Sequence, residues 1–300
     1  MFKRFGLWMM MNVAVIVTIS IVMSVLGVQP YLTANGLDYT SLMIFCLLWG
    51  MVGSFISLAM SRWMAKKMMG VQVLEPNDTQ YSGLVNTVHR LAKAANLPKM
   101  PEVGIYQSPE VNAFATGPSK SKSLVAVSTG LLNSMSQDEV EGVLGHEVAH
   151  IANGDMVTMT LVQGVVNAFV MFFARIAAFA VQNALRSDDE EGGVGGLAYM
   201  FTTIAFEILF GFFGMFITSW FSRVREYSAD IGGAQLAGRE KMIAALKRLQ
   251  TQYEKGNMDK SSDGKMAAFK ISTKSTGLKA MISTHPRLEE RIRRLEMNIN

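Results

Sequence analysis

Two histidines and a glutamate near the middle of the chain have the types and spacing for metal chemistry. Gly145-His146-Glu147-Val148-Ala149-His150 reads H-E-x-x-H. On a helix, residues i and i+4 lie one above the other on the same face. His146 and His150 can therefore offer two imidazole nitrogens to one tetrahedral Zn²⁺. Glu147 falls beside them, toward the space where an activated water would lie. Peptide hydrolysis needs that arrangement, because zinc lowers the pKa of water and a carboxylate takes its proton.

The helix that must carry these residues is marked at both ends. Ser136-Gln137-Asp138-Glu139 is a capping box with Ser136 as N-cap. Val140, Val143, Leu144 and Val148 follow as an apolar stripe at helical spacing. Asn153-Gly154 predicts the C-cap.

Zinc needs a third protein ligand and one open position. The metzincin pattern would continue with glycine and histidine where this chain has Asn153 and Met156, so that class is excluded. Further along, Glu226 and Asp230 stand four apart in a helical segment and share a face. One can bind zinc while the other hydrogen-bonds a histidine ligand. Spacing does not say which does which, and solvated helix charges would look the same. His89 lies on an amphipathic helix and reads as a surface or core residue. His285, in Ser283-Thr284-His285-Pro286-Arg287, is a candidate for stabilising an oxyanion near the metal, or else a structural residue at a helix start.

Glu102–Tyr106, Val111–Thr116 and Leu124–Ser128 predict short strands, with a turn over 117–122. An extended substrate can add itself to an exposed sheet edge. Asn112, Ala113, Phe114 and Ala115 are the candidate edge; an ordinary hairpin is the competing reading. Leu84, Val85, Val88, Leu91 and Ala92 predict an amphipathic helix within 80–96. Met242, Ile243, Ala245, Leu246 and Leu249 predict another over 239–250. Residues 251–280, rich in Lys, Ser and Gly, read as a mobile loop. A basic helix, Leu288 to Met297, follows.

Half of the 300 residues are hydrophobic, which points to a membrane protein. The net charge of +4 calls for no nucleic-acid partner; the basic residues cluster beside hydrophobic segments, where anionic lipid headgroups lie. The one cysteine, Cys46, excludes an intramolecular disulfide framework and sits in an apolar run that suggests packing. Four segments are long enough to span a bilayer: Leu7 to Val28, Ser41 to Ser61, Met156 to Leu185 and Leu197 to Ser222. Lys3, Arg4, Arg62, Lys66, Lys67, Arg223 and Arg225 flank them on one side, which places both termini and both polar regions in the cytoplasm. Arg175 and Glu207 lie within the last two segments, where a charge faces protein or a cavity and the two can pair. The expected division is 1–61 (two transmembrane helices), 62–155 (cytoplasmic peptidase core), 156–222 (third and fourth transmembrane helices) and 223–300 (cytoplasmic part with the third ligand).

Taken together, the motifs resemble the HtpX family, bacterial inner-membrane zinc proteases related to the prenyl-protein endopeptidases of the endoplasmic reticulum. The resemblance rests on His146-Glu147-Val148-Ala149-His150 with Asn153-Gly154-Asp155, and on Arg223-x-x-Glu226-x-x-Ala229-Asp230. It extends to Asn112-Ala113-Phe114-Ala115-Thr116-Gly117, Val125-Ala126-Val127-Ser128-Thr129-Gly130 and Thr284-His285-Pro286. It implies an α+β, mainly helical, zincin-like fold and one Zn²⁺ per chain held by His146, His150 and Glu226. It implies Glu147 as general base, Asp230 and Arg223 behind the ligands, Asn112-Ala113 in the substrate edge, and His285 near the active site. The implied activity is endoproteolysis of misfolded or damaged membrane proteins in a multi-pass protein of the bacterial inner membrane. The rivals are a zinc-binding membrane scaffold or chaperone that does not cleave, and a transporter whose pathway runs past Arg175 and Glu207. The sequence leaves cleavage specificity and oligomeric state open.

Overall fold

The computed structural model describes residues 36–75, 80–185, 194–258 and 283–297. In chain order these form helix α1 (Tyr39–Met68), strand β1 (Gln72–Val73), helix α2 (Ser82–Ala94), and strands β2 (Glu102–Tyr106), β3 (Ala113–Ser119) and β4 (Lys122–Ser128). Helices α3 (Thr129–Ser134), α4 (Gln137–Asn153), α5 (Asp155–Leu185), α6 (Val194–Ala237), α7 (Arg239–Met258) and α8 (Leu288–Glu296) follow. The described fold is mainly helical with one small mixed sheet. It divides into two compact units, one from 36–56, 160–185 and 194–218, the other from 57–75, 80–159, 219–258 and 283–297.

Among the described residues, three helices are long and apolar enough to cross a membrane: Tyr39–Met68, Asp155–Ala184 and Gly196–Ala237. They contain the second, third and fourth hydrophobic segments read from the sequence. The first, Leu7 to Val28, lies outside the described residues. Within the first unit, Cys46 is buried with Met43 and Phe172, as its apolar surroundings suggested. Leu48, Trp49 and Ile208 are exposed, which suits side chains meant for lipid rather than water. Arg175 Nη1 donates to Glu207 Oε1 at 3.0 Å and to the Met171 carbonyl at 3.1 Å, and the guanidinium lies 5.8 Å from the Phe45 ring centroid. The two charges carried by these apolar helices therefore satisfy one another.

The second unit holds the sheet, in the order β1-β2-β4-β3. β2 pairs parallel with β4, while β1–β2 and β3–β4 are antiparallel. β3 is thus an edge strand. Both strands of the hairpin run into the expected turn at 117–122. A register shift between Thr116 and Ser119 accommodates this, with Gly117 at a φ of 142° where a side chain would be strained. Pro118 is tolerated because an edge strand has free positions on its outer side.

α4 begins as its sequence dictates. Ser136 Oγ accepts from Glu139 N at 3.3 Å, and Glu139 Oε2 accepts from Ser136 N at 2.8 Å. It ends at Gly154 in the left-handed region, φ 76°, whose N–H bonds the carbonyls of His150 and Ile151. Val143, Leu144, Val148 and Ile151 join a core with Val85, Val88 and Leu91 of α2, Val125 and Val127 of β4, Leu246 of α7, and Leu288, Ile292 and Leu295 of α8. α7 continues to Met258, so residues 251–258 are helical rather than part of a loop. The stretch Thr251-Gln252-Tyr253-Glu254-Lys255 holds no strong helix breaker, and the low apolar content of 251–280 as a whole obscured it. Residues 259–280 lie outside the described residues.

Candidate metal centre

The residues of the H-E-x-x-H stretch are held on a helix that is apolar on the side facing the core. This leaves His146, Glu147 and His150 directed into a cavity of about 280 Å³ in the second unit. Ala113, Phe114, Ala115, Asp155, Arg225, Glu226, Thr284 and His285 are among the other residues that line it. The last turns of α6, from Ser219 on, supply Glu226. They lie hard against α4: a Cβ on Gly233 would stand 2.9 Å from His146 N, and one on Gly145 would stand 2.9 Å from Ala237 Cβ. Only glycine at both positions allows this approach, which brings Glu226 to the histidines.

Three donors converge. His146 Nε2 and His150 Nε2 are 3.1 Å apart. Glu226 Oε2 is 3.4 Å from the first and Glu226 Oε1 3.3 Å from the second. One carboxylate oxygen of Glu226 thus faces each histidine nitrogen, and with one ligand atom taken from each residue the three lie within 4.8 Å of one another, close enough to hold one ion. The donors also fit a cation chemically, as two imidazole nitrogens and a carboxylate. Glu226 Oε2 is buried among His146, His285 and Arg291.

The outward-facing nitrogens are anchored. His150 Nδ1 lies 2.6 Å from Asp155 Oδ2, and His146 Nδ1 lies 3.0 Å from Asp230 Oδ1. Each pairing fixes a ring so that Nε2 faces the centre. Of the two acids that spacing could not separate, Glu226 stands among the donors and Asp230 behind His146. Asp230 in turn receives Arg291 Nε at 2.8 Å and Nη2 at 2.5 Å.

Glu147 is buried beside the donors. Burial pushes its carboxyl above the ordinary range, helped by the Glu226 charge and opposed by the two histidines and a bond from the Ala115 backbone. Burial opposes charge on His150, yet Asp155 and Glu226 outweigh it and raise the imidazole to about 10. Glu226 is held well below the carboxylate range despite burial, by His285 and the two other histidines.

His285 Nδ1 lies 2.9 Å from Glu226 Oε2, on the cavity side. Arg223 Nη1 donates to the Ser283 carbonyl at 2.9 Å, two residues before His285. Ala113, Phe114 and Ala115 of β3 line the cavity, whereas Asn112 is buried at the strand's start. There its N–H donates to Ser128 Oγ at 3.1 Å and its carbonyl accepts from Ser128 N at 2.9 Å. His89 Nε2 meets the Pro101 carbonyl at 3.2 Å and takes no part.

Two residues of this site were given no role from sequence, although Asp155 stands in the motif that carries the family resemblance. Asp155 directly follows the αL glycine that ends α4, and the sharp reversal there returns its carboxylate to His150. Arg291 had a readable signal: it stands with Leu288, Ile292 and Leu295 in the i, i+3, i+4, i+7 stripe that α8 buries.

The family model for Peptidase family M48 matches residues 79–299. The protein called Protease HtpX homolog from Bacillus licheniformis is 53% identical over 303 residues, covering 98% of this chain and 99% of its own length. Protease HtpX from Shewanella loihica is 54% identical over 295 residues, with 98% and 99% covered. Among solved structures, Ste24p of S. mikatae shares the fold with a TM-score of 0.59 at 18% identity, covering 99% of this chain and 67% of its own. Family, motif and donor set agree, and the chain belongs to peptidase family M48 as an HtpX-type membrane metalloprotease.

Proposed function

We propose that the chain is a zinc endopeptidase with a zincin-like catalytic domain, and that it cleaves extended, cytosol-exposed segments of misfolded or damaged membrane proteins. The observation that carries this reading is the convergence of ligand atoms of His146, His150 and Glu226 within 4.8 Å of one another, with Glu147 buried beside them. One Zn²⁺ per chain would be held by those three residues. When bound, it supplies Lewis acidity toward the scissile carbonyl and lowers the pKa of the attacking water.

The chain's own groups do the rest. Glu147, with its raised proton affinity, takes the water's proton and passes it to the leaving amine. The His285 imidazole, held beside Glu226, donates toward the oxyanion that develops on the carbonyl. β3 offers its outer edge to an extended substrate through backbone hydrogen bonds, with Ala113, Phe114 and Ala115 at the cavity and Asn112 setting the strand's start. Such binding reads backbone more than side chains and suits unfolded clients. Leu7 to Val28 would add a fourth membrane span. The flanking basic residues support a multi-pass arrangement in a bacterial inner membrane, with the active site and both termini cytoplasmic and anionic lipid headgroups beside the helix ends.

The test is cleavage of an unfolded protein by the detergent-purified chain, with and without chelator, beside Glu147→Gln and Glu226→Gln. Zinc is measured on each sample. Glu147→Gln is expected to keep zinc and lose cleavage, and Glu226→Gln to lose zinc. Cleavage that survives Glu147→Gln would assign the activity to another site.

A further inference from the structure

Arg291 is the largest side chain in the described structure to be completely buried, at 0% exposure. A guanidinium taken out of water is costly unless its partners are well placed. Here it forms a fork on Asp230, with Nε at 2.8 Å from Oδ2 and Nη2 at 2.5 Å from Oδ1. The same Asp230 Oδ1 lies 3.0 Å from His146 Nδ1, and Arg291 Nη2 is itself 3.5 Å from that nitrogen. Arg291 Nη1 stands 3.5 Å from Glu226 Oε2, which His285 Nδ1 approaches at 2.9 Å from the cavity side. The arginine comes from α8, 61 residues beyond Asp230 in the chain. It is held there by Leu288, Ile292 and Leu295 in the core.

Resting on the metallopeptidase reading above, we infer that Arg291 is a positioning residue of the metal centre: it locks the Asp230 carboxylate so that His146 is held with Nε2 toward the cation. The fork leaves Asp230 one orientation. Without it, the carboxylate can rotate, and the ring it orients can rotate with it. Among the described contacts, Arg291 also supplies the one guanidinium within 3.5 Å of both Asp230 and Glu226. Lysine carries the same charge but cannot form the fork. The lock therefore distinguishes geometry from charge.

The experiment uses the full chain in detergent. Zn²⁺ affinity is read by chelator competition, and Co²⁺ loaded in place of zinc is read by its visible absorption, which reports ligand geometry. The variants are Arg291→Met, Arg291→Lys, Asp230→Asn, the double Asp230→Asn/Arg291→Met, and Leu295→Ala. The last loosens α8 without touching Asp230. Arg291→Met and Asp230→Asn are each expected to weaken Zn²⁺ binding by roughly 10- to 100-fold. Arg291→Lys should restore stability more than affinity and leave the Co²⁺ bands shifted. On the Asp230→Asn background, removing Arg291 should cost no further affinity, and Leu295→Ala should lower thermal stability while keeping the wild-type bands. Where Arg291→Met alone fails to fold, the comparison of Asp230→Asn with the double variant decides, since that pair removes both buried charges. Unchanged affinity and bands in Arg291→Met, or a double variant ten-fold weaker than Asp230→Asn, would overturn the inference. A wild-type chain that binds no Zn²⁺ would instead overturn the metallopeptidase reading itself.

Discussion

Gly233→Ala isolates the role of helix approach in building the metal site. The added methyl would sit 2.9 Å from His146 N and 3.0 Å from His146 Cα, where ordinary contact begins near 3.4 Å. These are backbone atoms, so α6 and α4 must part by about half an ångström, a displacement at the limit that a preorganised site tolerates. Overpacking of this kind costs about 1–3 kcal/mol, and replacing a helical glycine by alanine returns about 1 kcal/mol. The net loss of stability is therefore small, on the order of 0–2 kcal/mol. The effect on the donors is not small. Glu226 rides on the helix that moves, while the histidines ride on the other, and their separations of 3.1–3.4 Å leave little slack. Zinc affinity is expected to fall about ten-fold or more while melting shifts by only a few degrees. Chelator competition and thermal melting of the purified chain read the two quantities. Gly211→Ala, on the same helix with nothing within 4 Å, is the control: it should leave zinc affinity unchanged and, if anything, raise the melting temperature. Wild-type zinc affinity in Gly233→Ala would refute the claim that this contact sets the geometry of the donors.

Other consequences follow from single contacts. Asp155→Asn removes the anion that orients His150 and is expected to weaken zinc binding by roughly 10- to 100-fold without unfolding the chain; competition titration checks this, and affinity within two-fold of wild type counts against it. Arg175→Glu sets two carboxylates against each other in an apolar segment and should reduce the yield of folded protein from membranes. Arg175→Glu/Glu207→Arg should recover much of that yield if the 3.0 Å pair matters to the bundle. Burial opposes ionisation of Glu102, yet Lys66 and Arg62 outweigh it and hold its carboxyl below its usual 4.5. Its contribution to stability is then complete above the unfolded value and lost as pH falls through the lower folded one. Glu102→Gln should flatten that part of the acid limb in a pH series of thermal melts, and an unchanged limb would dismiss the link.

What could be read from the sequence was whatever depends on neighbours along one helix or one turn. Ser136 and Glu139 are three apart, His146 and His150 four apart, and Gly154 follows the last turn; each relation is fixed by helix geometry before any tertiary structure exists. The same logic failed between Glu226 and Asp230, because both face one way and only the position of α4 separates their parts. The role of Asp155 was missed because its carboxylate reaches His150 through a chain reversal, which no periodic pattern describes. The case of Arg291 is different. Its charge argued for solvent, and its place in the apolar stripe of α8 argued for burial, two local rules in open conflict. Natural sequences resolve most such conflicts toward consistency, and those left standing mark sites where function overrides local preference. A buried arginine costs stability unless its partners compensate. That α8 keeps one in its core face, opposite Asp230 and Glu226, is best understood if the metal centre requires it there. By the same reasoning, a charge in the buried stripe of an amphipathic helix is a sign to look for a carboxylate far away in the sequence that needs holding.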